Sequence, residues 1–328
     1  MPTAPTLELI AARGSKKQRQ RKDESVQDFV ARITHLDLTR KHLLALDNIN
    51  ACHKLLTLYL YENRISKITN LNSCTHLTHL YLQDNAIERL EGVNRLRHLT
   101  KLFIGRNKLI VLEGLHDLPN LKELHIEYQQ LPPGEKLLVD PRTALSLRRS
   151  VRHLNLAGNN LDDLSEFVGF DGLKTVDVSH NKLTDLNQIQ MAFGKCRHLG
   201  TLNVNGNPFC LLSKYREEIV VMVQSLRMLD GREVTPTMRQ FLNNWKSVLD
   251  HRRKKGAHLR PQQRPPHSAK YKKPTFKRQG VSVVPSFRSR LRPSPSMLPP
   301  LQAQPAPRTS DLDVLARKAS SSRTARLK

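Results

Sequence analysis

The chain has 328 residues and a formal net charge of +25, with 54 Lys and Arg against 29 Asp and Glu. No apolar stretch reaches the length of about 18 residues that marks a membrane span. The four cysteines show no Cys-x-x-Cys spacing, and the N-terminus shows no signal-peptide apolar run. These features argue against a disulfide framework and a secreted protein, so we expect a soluble, reduced, intracellular one.

The first 32 residues divide into two segments. Residues 1–22 are basic and polar after a short apolar patch, and we expect a loose basic N-terminus there. Within 23–32, Val26 and Phe29 fall at helical spacing after Ser25, a suitable N-cap. This segment predicts an N-terminal helical cap, because the stacked repeats that follow would otherwise expose an apolar end.

Residues 33–209 repeat an apolar ladder with the template L-x-x-L-x-L-x-x-N-x-L. Four returns come at a strict 22-residue step, a period that is typical of leucine-rich-repeat solenoids. The first apolar position of the template falls on Ile33, Leu55, Leu77, Leu99, Leu121, Val151, Leu173 and Leu199. The sequence thus predicts an α/β leucine-rich-repeat solenoid of about eight coils, with short parallel strands on its concave face and helical caps at both ends.

A ladder of asparagines marks the end of each predicted strand. Its members are Asn63, Asn85, Asn107, Asn159, Asn181 and Asn207. A carboxamide both donates and accepts, so each one can satisfy buried main-chain groups where the coil turns. Lys41 and Gln129 take this position in the first and fifth coils, and we expect Gln129 to loosen its turn. Cys52, Cys74 and Cys196 recur three residues before a first apolar position, which predicts small buried fillers.

Residues 210–250 predict a C-terminal helical cap. One helix is indicated from Tyr215 onward, and a second begins at Pro236 with Thr235 as its N-cap. The apolar stripe of the second helix consists of Met238, Phe241, Leu242, Trp245, Val248 and Leu249. We interpret this stripe as core and cap, and the alternative is a separate surface for a partner.

The positive charge is concentrated in residues 251–328, where 20 Lys and Arg face two Asp, a net charge of +18. Eleven prolines and little apolar content predict a disordered basic tail. Such a tail suits acidic partners, and the alternative is a solvated linker without a dedicated partner. Nucleic acid is a weaker interpretation, because the tail has few aromatic residues for base stacking.

The sequence contains no catalytic or metal-binding motif. Walker loops and the patterns Gly-x-Gly-x-x-Gly, His-Glu-x-x-His and Gly-x-Ser-x-Gly are absent. Histidines such as His79, His125 and His153 fall in separate coils and not at ligand spacing within one. We therefore predict a protein that is not an enzyme and holds no metal or cofactor.

The candidate site is the predicted concave face. Tyr59, Tyr81 and Phe103 occupy the strand centres of neighbouring coils, about 5 Å apart, which predicts a contiguous aromatic stripe. The candidate partner-binding residues are Tyr59, Tyr61, Glu62, Tyr81, Asp84, Phe103, Glu123, His125, Glu127 and Tyr128. Aromatic side chains rimmed by charge are typical of protein-interface hot spots. The alternative is that a solenoid tolerates such aromatics without a partner.

The C-terminal cap carries a resemblance to a known family. With the 22-residue repeat, three segments resemble the leucine-rich regulatory subunits of protein phosphatase 1: Asn207-Pro208-Phe209-Cys210, Lys214-Tyr215-Arg216 and Leu226-Arg227-Met228-Leu229-Asp230-Gly231. The resemblance covers about residues 5–250. It implies that the concave face binds the phosphatase catalytic subunit, in a cytoplasmic setting at the cytoskeleton, centrosome or another microtubule-organising centre. The basic-Val/Ile-x-Phe/Trp docking peptide of many phosphatase regulators has no good copy here.

The same cap occurs in many ciliary and axonemal repeat proteins, which supplies a rival interpretation. In it the chain is a ciliary or microtubule-associated structural adaptor, and the repeats bind an axonemal or motor protein. The basic tail would then contact tubulin or microtubule-associated proteins. Both functions are compatible, one through the solenoid and one through the tail.

Overall fold

The computed structural model describes residues 4–14 and 18–257, and within them a short strand recurs in each coil. The strands are β1 (His35–Asp37), β2 (Thr57–Tyr59), β3 (His79–Tyr81), β4 (Lys101–Phe103), β5 (Val111–Leu112), β6 (Glu123–His125), β7 (Leu138–Val139), β8 (His153–Asn155), β9 (Thr175–Asp177), β10 (Thr201–Asn203), β11 (Met228–Leu229) and β12 (Arg232–Glu233). Ten of them form one sheet in the order β1-β2-β3-β4-β6-β8-β9-β10-β11-β12. All neighbours are parallel except β11 and β12.

The register of the sheet follows the 22-residue step. Leu58 pairs with Leu80, Leu80 with Leu102 and Leu102 with Leu124. The central residue of each repeat strand is buried, so the leucines form a column inside the coils: Leu36, Leu58, Leu80, Leu102, Leu124, Leu154, Val176 and Leu202. Because side chains alternate along a strand, the residues on either side of this column face outward onto the concave surface.

The longer interval between Leu121 and Val151 is accommodated away from the main sheet. Strand β7 pairs with β5 in a separate two-stranded sheet, and helix α3 (Pro141–Ser150) follows it. Asp140 caps α3 by accepting a hydrogen bond from the Thr143 backbone N–H at 2.9 Å. The insertion therefore leaves the pairing of β6 with β8 intact.

The buried asparagines join consecutive coils, and Asn107 shows the pattern. Its Nδ2 donates to the carbonyls of Leu82 at 2.9 Å and Ile104 at 3.0 Å, and its Oδ1 accepts from Ile87 N at 3.0 Å. Each asparagine thus bonds to its own coil and to the one before it.

Contrary to our expectation, Gln129 performs the same task as the ladder asparagines. Its Oε1 accepts from Leu109 N at 2.9 Å, and its Nε2 donates to Ile104 O at 3.0 Å. The side chain is buried. Glutamine carries the same carboxamide on one more methylene, so it reaches the same main-chain groups and the turn is not loosened.

The N-terminal end has two helices where we expected one. Helix α2 (Val26–Ala31) is capped by Ser25, whose hydroxyl accepts from Asp28 N at 3.1 Å. The segment predicted to be loose contains helix α1 (Leu7–Arg13), which packs on α2 and buries Ile10 completely. Apolar burial explains the difference, because the short patch around Ile10 covers the open side of the first coil.

The C-terminal end consists of α5 (Tyr215–Met222), the β11–β12 pair and α6 (Pro236–Ala257). The helix continues seven residues past the predicted boundary at 250, and residues 258–328 of the predicted tail lie outside the described residues. Only part of the apolar stripe of α6 is core: Leu242 is 5% exposed, whereas Phe241 is 67% and Val248 52% exposed. The expectation that the whole stripe forms core and cap was therefore wrong.

Helix α4 (Asn187–Phe193) fills the interval before Leu199 and contacts α5. Shorter 3-10 turns occur at Ile49–Ala51, Ser165–Phe167 and Pro208–Leu211. Among the described residues, no helix is both long enough and apolar enough to cross a membrane.

Candidate protein-binding face

Four rings stack in a row across the concave face. The ring centroids are 4.7 Å apart for Tyr59 and Tyr81, 4.6 Å for Tyr81 and Phe103, and 4.4 Å for Phe103 and His125. The parallel register causes this arrangement, since it places the last residues of β2, β3, β4 and β6 side by side. The strand centres, where we expected the rings, hold the buried leucines instead. We call these four residues the aromatic ladder.

Stacking fixes which part of each ring a partner can touch. The inner rings cover one another's faces, so all four side chains are half-buried and present mainly their edges to solvent. Burial raises the pKa of the Tyr59 and Tyr81 phenols, so their hydroxyls stay protonated and can donate. The result is a rigid apolar ridge with polar tips, which loses little side-chain entropy on binding.

The other coils use the same position for a different purpose. A side-chain oxygen of Asp37, Asn155, Asp177 or Asn203 accepts the backbone N–H of the residue two further on, at 2.9–3.3 Å. These polar side chains therefore brace local turns. The ladder coils contain the same turn, but within the described residues no ladder side chain bonds to it, which favours an external role for the ladder.

The acids beside the ladder are paired with basic residues that the sequence analysis missed. Glu62 Oε2 lies 2.6 Å from Arg40 Nε, and Glu123 Oε2 lies 2.7 Å from Lys101 Nζ. Asp84 lies farther from its partner, 3.7 Å from Arg106. The two residues of each pair are 22 positions apart, so the repeat step could have predicted these ion pairs from the sequence. The rim is consequently a set of ion pairs and not a purely acidic band.

Glu127 and His125 form the most constrained polar group of the face. The His125 ring lies between two carboxylates, with Nε2 3.2 Å from Glu123 Oε1 and Nδ1 4.0 Å from Glu127 Oε2. The Glu127 carboxylate lies over Gly105, where a Cβ would approach Glu127 Oε1 to 2.5 Å. Glu127 Oε2 is buried without a hydrogen-bond partner among the described residues, as is Gln83 Oε1.

Two of the predicted site residues lie at the margins of the face. Tyr128 is exposed and its ring lies against Gly158 of the next coil, 6.3 Å from the His180 ring. Tyr61 is half-buried and lies two residues after the end of β2. The structure thus brings eight of the ten predicted residues together around β2, β3, β4 and β6 and leaves these two at the margins.

The structure offers no arrangement for metal chemistry in its described part. No group of three or more His, Cys, Asp or Glu side chains there is placed to hold a metal ion. Burial lowers the pKa of His79 and His153, so both imidazoles are neutral at physiological pH.

Comparison with known proteins supports the repeat architecture. The family described as Leucine Rich repeats (2 copies) matches residues 53–98 and 149–190. Leucine-rich repeat- and IQ domain-containing protein 1 is 30% identical over 81 residues in both Homo sapiens and Mus musculus. The match covers 25% of this chain, and the chain spans only 5% of the length of these relatives.

Two solved structures share the fold. An internalin (inlF) from Listeria monocytogenes has a TM-score of 0.52 and 20% identity, covering 66% of this chain and 59% of that one. Internalin C2 from the same organism has a TM-score of 0.52 and 18% identity, covering 68% and 95%. Together with the strand register, these matches confirm the predicted leucine-rich-repeat solenoid.

Proposed function

We propose that this leucine-rich-repeat chain is a non-enzymatic scaffold that binds a protein on its concave face. The single observation that carries the proposal is the aromatic ladder of Tyr59, Tyr81, Phe103 and His125, stacked at 4.4–4.7 Å on a rigid sheet. Pre-ordered aromatic side chains at the centre of a surface, surrounded by polar groups, typify interface hot spots. The ion pairs around the ladder are partly exposed and individually weak, so breaking them to form ion pairs with a partner costs little free energy.

The partner that we propose is the catalytic subunit of protein phosphatase 1. The support is the resemblance of the repeats and of the cap to leucine-rich regulators of this phosphatase. Segments such as Leu58-Tyr59-Leu60-Tyr61 and Thr78-His79-Leu80-Tyr81-Leu82-Gln83 look closest to one member, protein phosphatase 1 regulatory subunit 42. Two of these segments supply ladder residues. Binding would change the location or the substrate access of the phosphatase, at the cytoskeleton or centrosome.

The experiment is a binding measurement between the full-length chain and purified catalytic subunit. We expect a saturable complex of equal stoichiometry. A synthetic peptide with the basic-Val-x-Phe docking motif should leave the complex intact, because the scaffold uses its concave face and has no good copy of that motif. Displacement by the peptide, or absence of a complex, would contradict the proposal for this partner.

A second candidate function is a structural adaptor on microtubules. The observation that favours it is the net charge of +18 in residues 251–328, opposite in sign to the acidic tails of tubulin. This role does not compete with the first, because the ladder lies on the solenoid and the charge lies beyond it.

A further inference from the structure

Helix α6 carries an apolar face that the fold leaves uncovered. Phe241, Trp245 and Val248 recur at i, i+4 and i+7, which places them on one side of the helix. Phe241 and Val248 are mostly exposed and Trp245 is half-buried, whereas Leu242, on the adjoining side, is buried against the cap. Exposed apolar side chains grouped in this way mark interaction surfaces.

The length of α6 explains the exposure of Val248, whereas Phe241, near the start of the helix, is exposed because it lies off the side that carries Leu242. It has 22 residues and the neighbouring α5 has 8. At a rise of about 1.5 Å per residue, these lengths are roughly 33 Å and 12 Å. Since α5 can cover only the first part of α6, the C-terminal turns extend past the helix on which α6 packs.

A second segment with exposed apolar side chains lies near α6 in the fold. Leu211 is 91% exposed and Leu212 53% exposed, at the end of the turn that closes the last repeat. The Lys214 Nζ atom lies 4.8 Å from the centre of the Trp245 ring, which brings this segment next to α6. We call Leu211, Leu212, Phe241, Trp245 and Val248 the C-terminal apolar patch.

Positive charge follows directly in the same helix. Residues 252–255 read Arg-Arg-Lys-Lys and lie within α6, whose backbone extends to Ala257. An apolar surface that contains tryptophan, followed by a cluster of Lys and Arg, has the composition of a peripheral membrane anchor. A helix that inserts into a protein groove needs only a narrow stripe. Here a loop and a helix expose apolar side chains together, which suits a broad, fluid surface better.

We propose that the C-terminal apolar patch binds the surface of an anionic phospholipid membrane. The apolar side chains enter the boundary between headgroups and acyl chains, and residues 252–255 attract the lipid phosphates. The two contributions are needed together, because a few apolar side chains or a short basic cluster alone give weak, reversible attachment. This inference concerns a different surface from the aromatic ladder and does not depend on the phosphatase.

Trp245 is the one tryptophan of the chain, so its fluorescence reports on the patch alone. Full-length protein is mixed with vesicles of phosphatidylcholine, with or without phosphatidylserine. We expect a shift of the emission to shorter wavelength only with phosphatidylserine, and quenching when the acyl chains carry bromine. Soluble phosphoserine should cause neither effect, which separates a lipid surface from a free phosphate group.

Two double variants locate the contact. Phe241→Gln with Val248→Gln should reduce partitioning into anionic vesicles by roughly tenfold or more, since apolar insertion supplies much of the attachment. The matched control replaces Leu145 and Met191, which are exposed on α3 and α4, by glutamine and should bind like the wild type.

Three results would overturn the proposal. The first is vesicle binding with unchanged Trp245 emission, which would assign the attachment to residues 258–328. The second is equal partitioning of the patch variant and the control. The third is a blue shift that grows with protein concentration in the absence of vesicles, which would assign the patch to a second copy of the chain.

Discussion

Single buried amides hold neighbouring coils of this solenoid together. Asn107 is completely buried and spans main-chain groups from Leu82 to Gly105 with one carboxamide. Without this hydrogen bond, each main-chain group would be buried without a partner, which would cost about 1–3 kcal/mol of stability. The repeat therefore depends on a polar residue as much as on its leucines.

Replacement of Asn107 by alanine should lower the free energy of unfolding by about 1–3 kcal/mol, because several main-chain groups lose their partner. Chemical denaturation measures the change. The matched control is Asn205→Ala, an exposed asparagine, which should stay within about 0.5 kcal/mol of the wild type. If the Asn107 variant and the control had the same free energy of unfolding, the register of the asparagine ladder would be wrong.

Most of the asparagine ladder could be predicted from the sequence, and Gln129 shows why the rest could not. The repeat determines which side chain points inward at the turn, so an asparagine at that position is expected to hydrogen-bond to main-chain groups. Whether a longer glutamine still reaches the same carbonyls depends on backbone positions within a few tenths of an ångström. Spacing alone does not contain that information.

The buried cysteines provide a second test at this scale. Burial raises the pKa of Cys52 and Cys74 to about 12 and of Cys196 to about 11. Only thiolates react readily, so at neutral pH a thiol reagent should leave these three unmodified in the native protein. All should react in denaturant. Rapid native labelling of Cys52 or Cys74, located by mass spectrometry, would be inconsistent with the buried fillers described above.

At the scale of elements, the C-terminal cap depends on Asp230. One carboxylate oxygen accepts from Val204 N at 2.8 Å, and the other accepts from Arg216 Nη1 at 3.0 Å and from the Tyr215 hydroxyl at 3.3 Å. Asp230 thus ties β10, α5 and β11 together. The Leu-Asp-Gly sequence that carries the family resemblance accordingly has a structural role here.

Asp230→Ala should destabilise the protein by about 3–5 kcal/mol, because it leaves the partly buried Arg216 guanidinium without its counter-ion. Thermal unfolding would report this as a clear fall in Tm. Asp117→Ala is the control, since Asp117 pairs with His116 on the surface, where ion pairs contribute little. An equal Tm for both variants would show that Asp230 does not stabilise the C-terminal cap.

The strands could be predicted well, and the terminal helices could not. Strand positions follow from the 22-residue step, since each coil repeats the same local pattern. Helix α1 lies outside the repeats, so the 22-residue step does not predict it, and its formation depends on burial of Ile10 against α2. The length of α6 was also underestimated, because the basic residues past position 250 were assigned to the tail and not to the helix.

At the scale of the whole molecule, the charge divides the chain into two regions. Residues 31–250 carry 28 basic and 23 acidic residues, whereas 251–328 carry a net charge of +18. The aromatic ladder belongs to the nearly neutral region. Binding at the ladder should therefore depend little on salt, and any function of the basic region should depend on it strongly.

Deletion of residues 258–328 tests the second candidate function. The truncated chain should lose a salt-sensitive association with microtubules, because electrostatic attraction between exposed charges is screened beyond about 8 Å at physiological ionic strength. Co-sedimentation at low and moderate salt measures the difference. Equal pelleting of the full and truncated chains would place the microtubule contact within residues 1–257.

The aromatic ladder is tested most directly by the affinity for the phosphatase catalytic subunit after Tyr59, Tyr81 and Phe103 are replaced together by alanine. Each truncation of a hot-spot aromatic removes about 2 kcal/mol or more, roughly thirtyfold in Kd, so binding should be lost. A control with Leu145→Ala and Met191→Ala should keep the wild-type affinity, and circular dichroism should show both variants folded. Wild-type affinity in a folded triple variant would contradict the account.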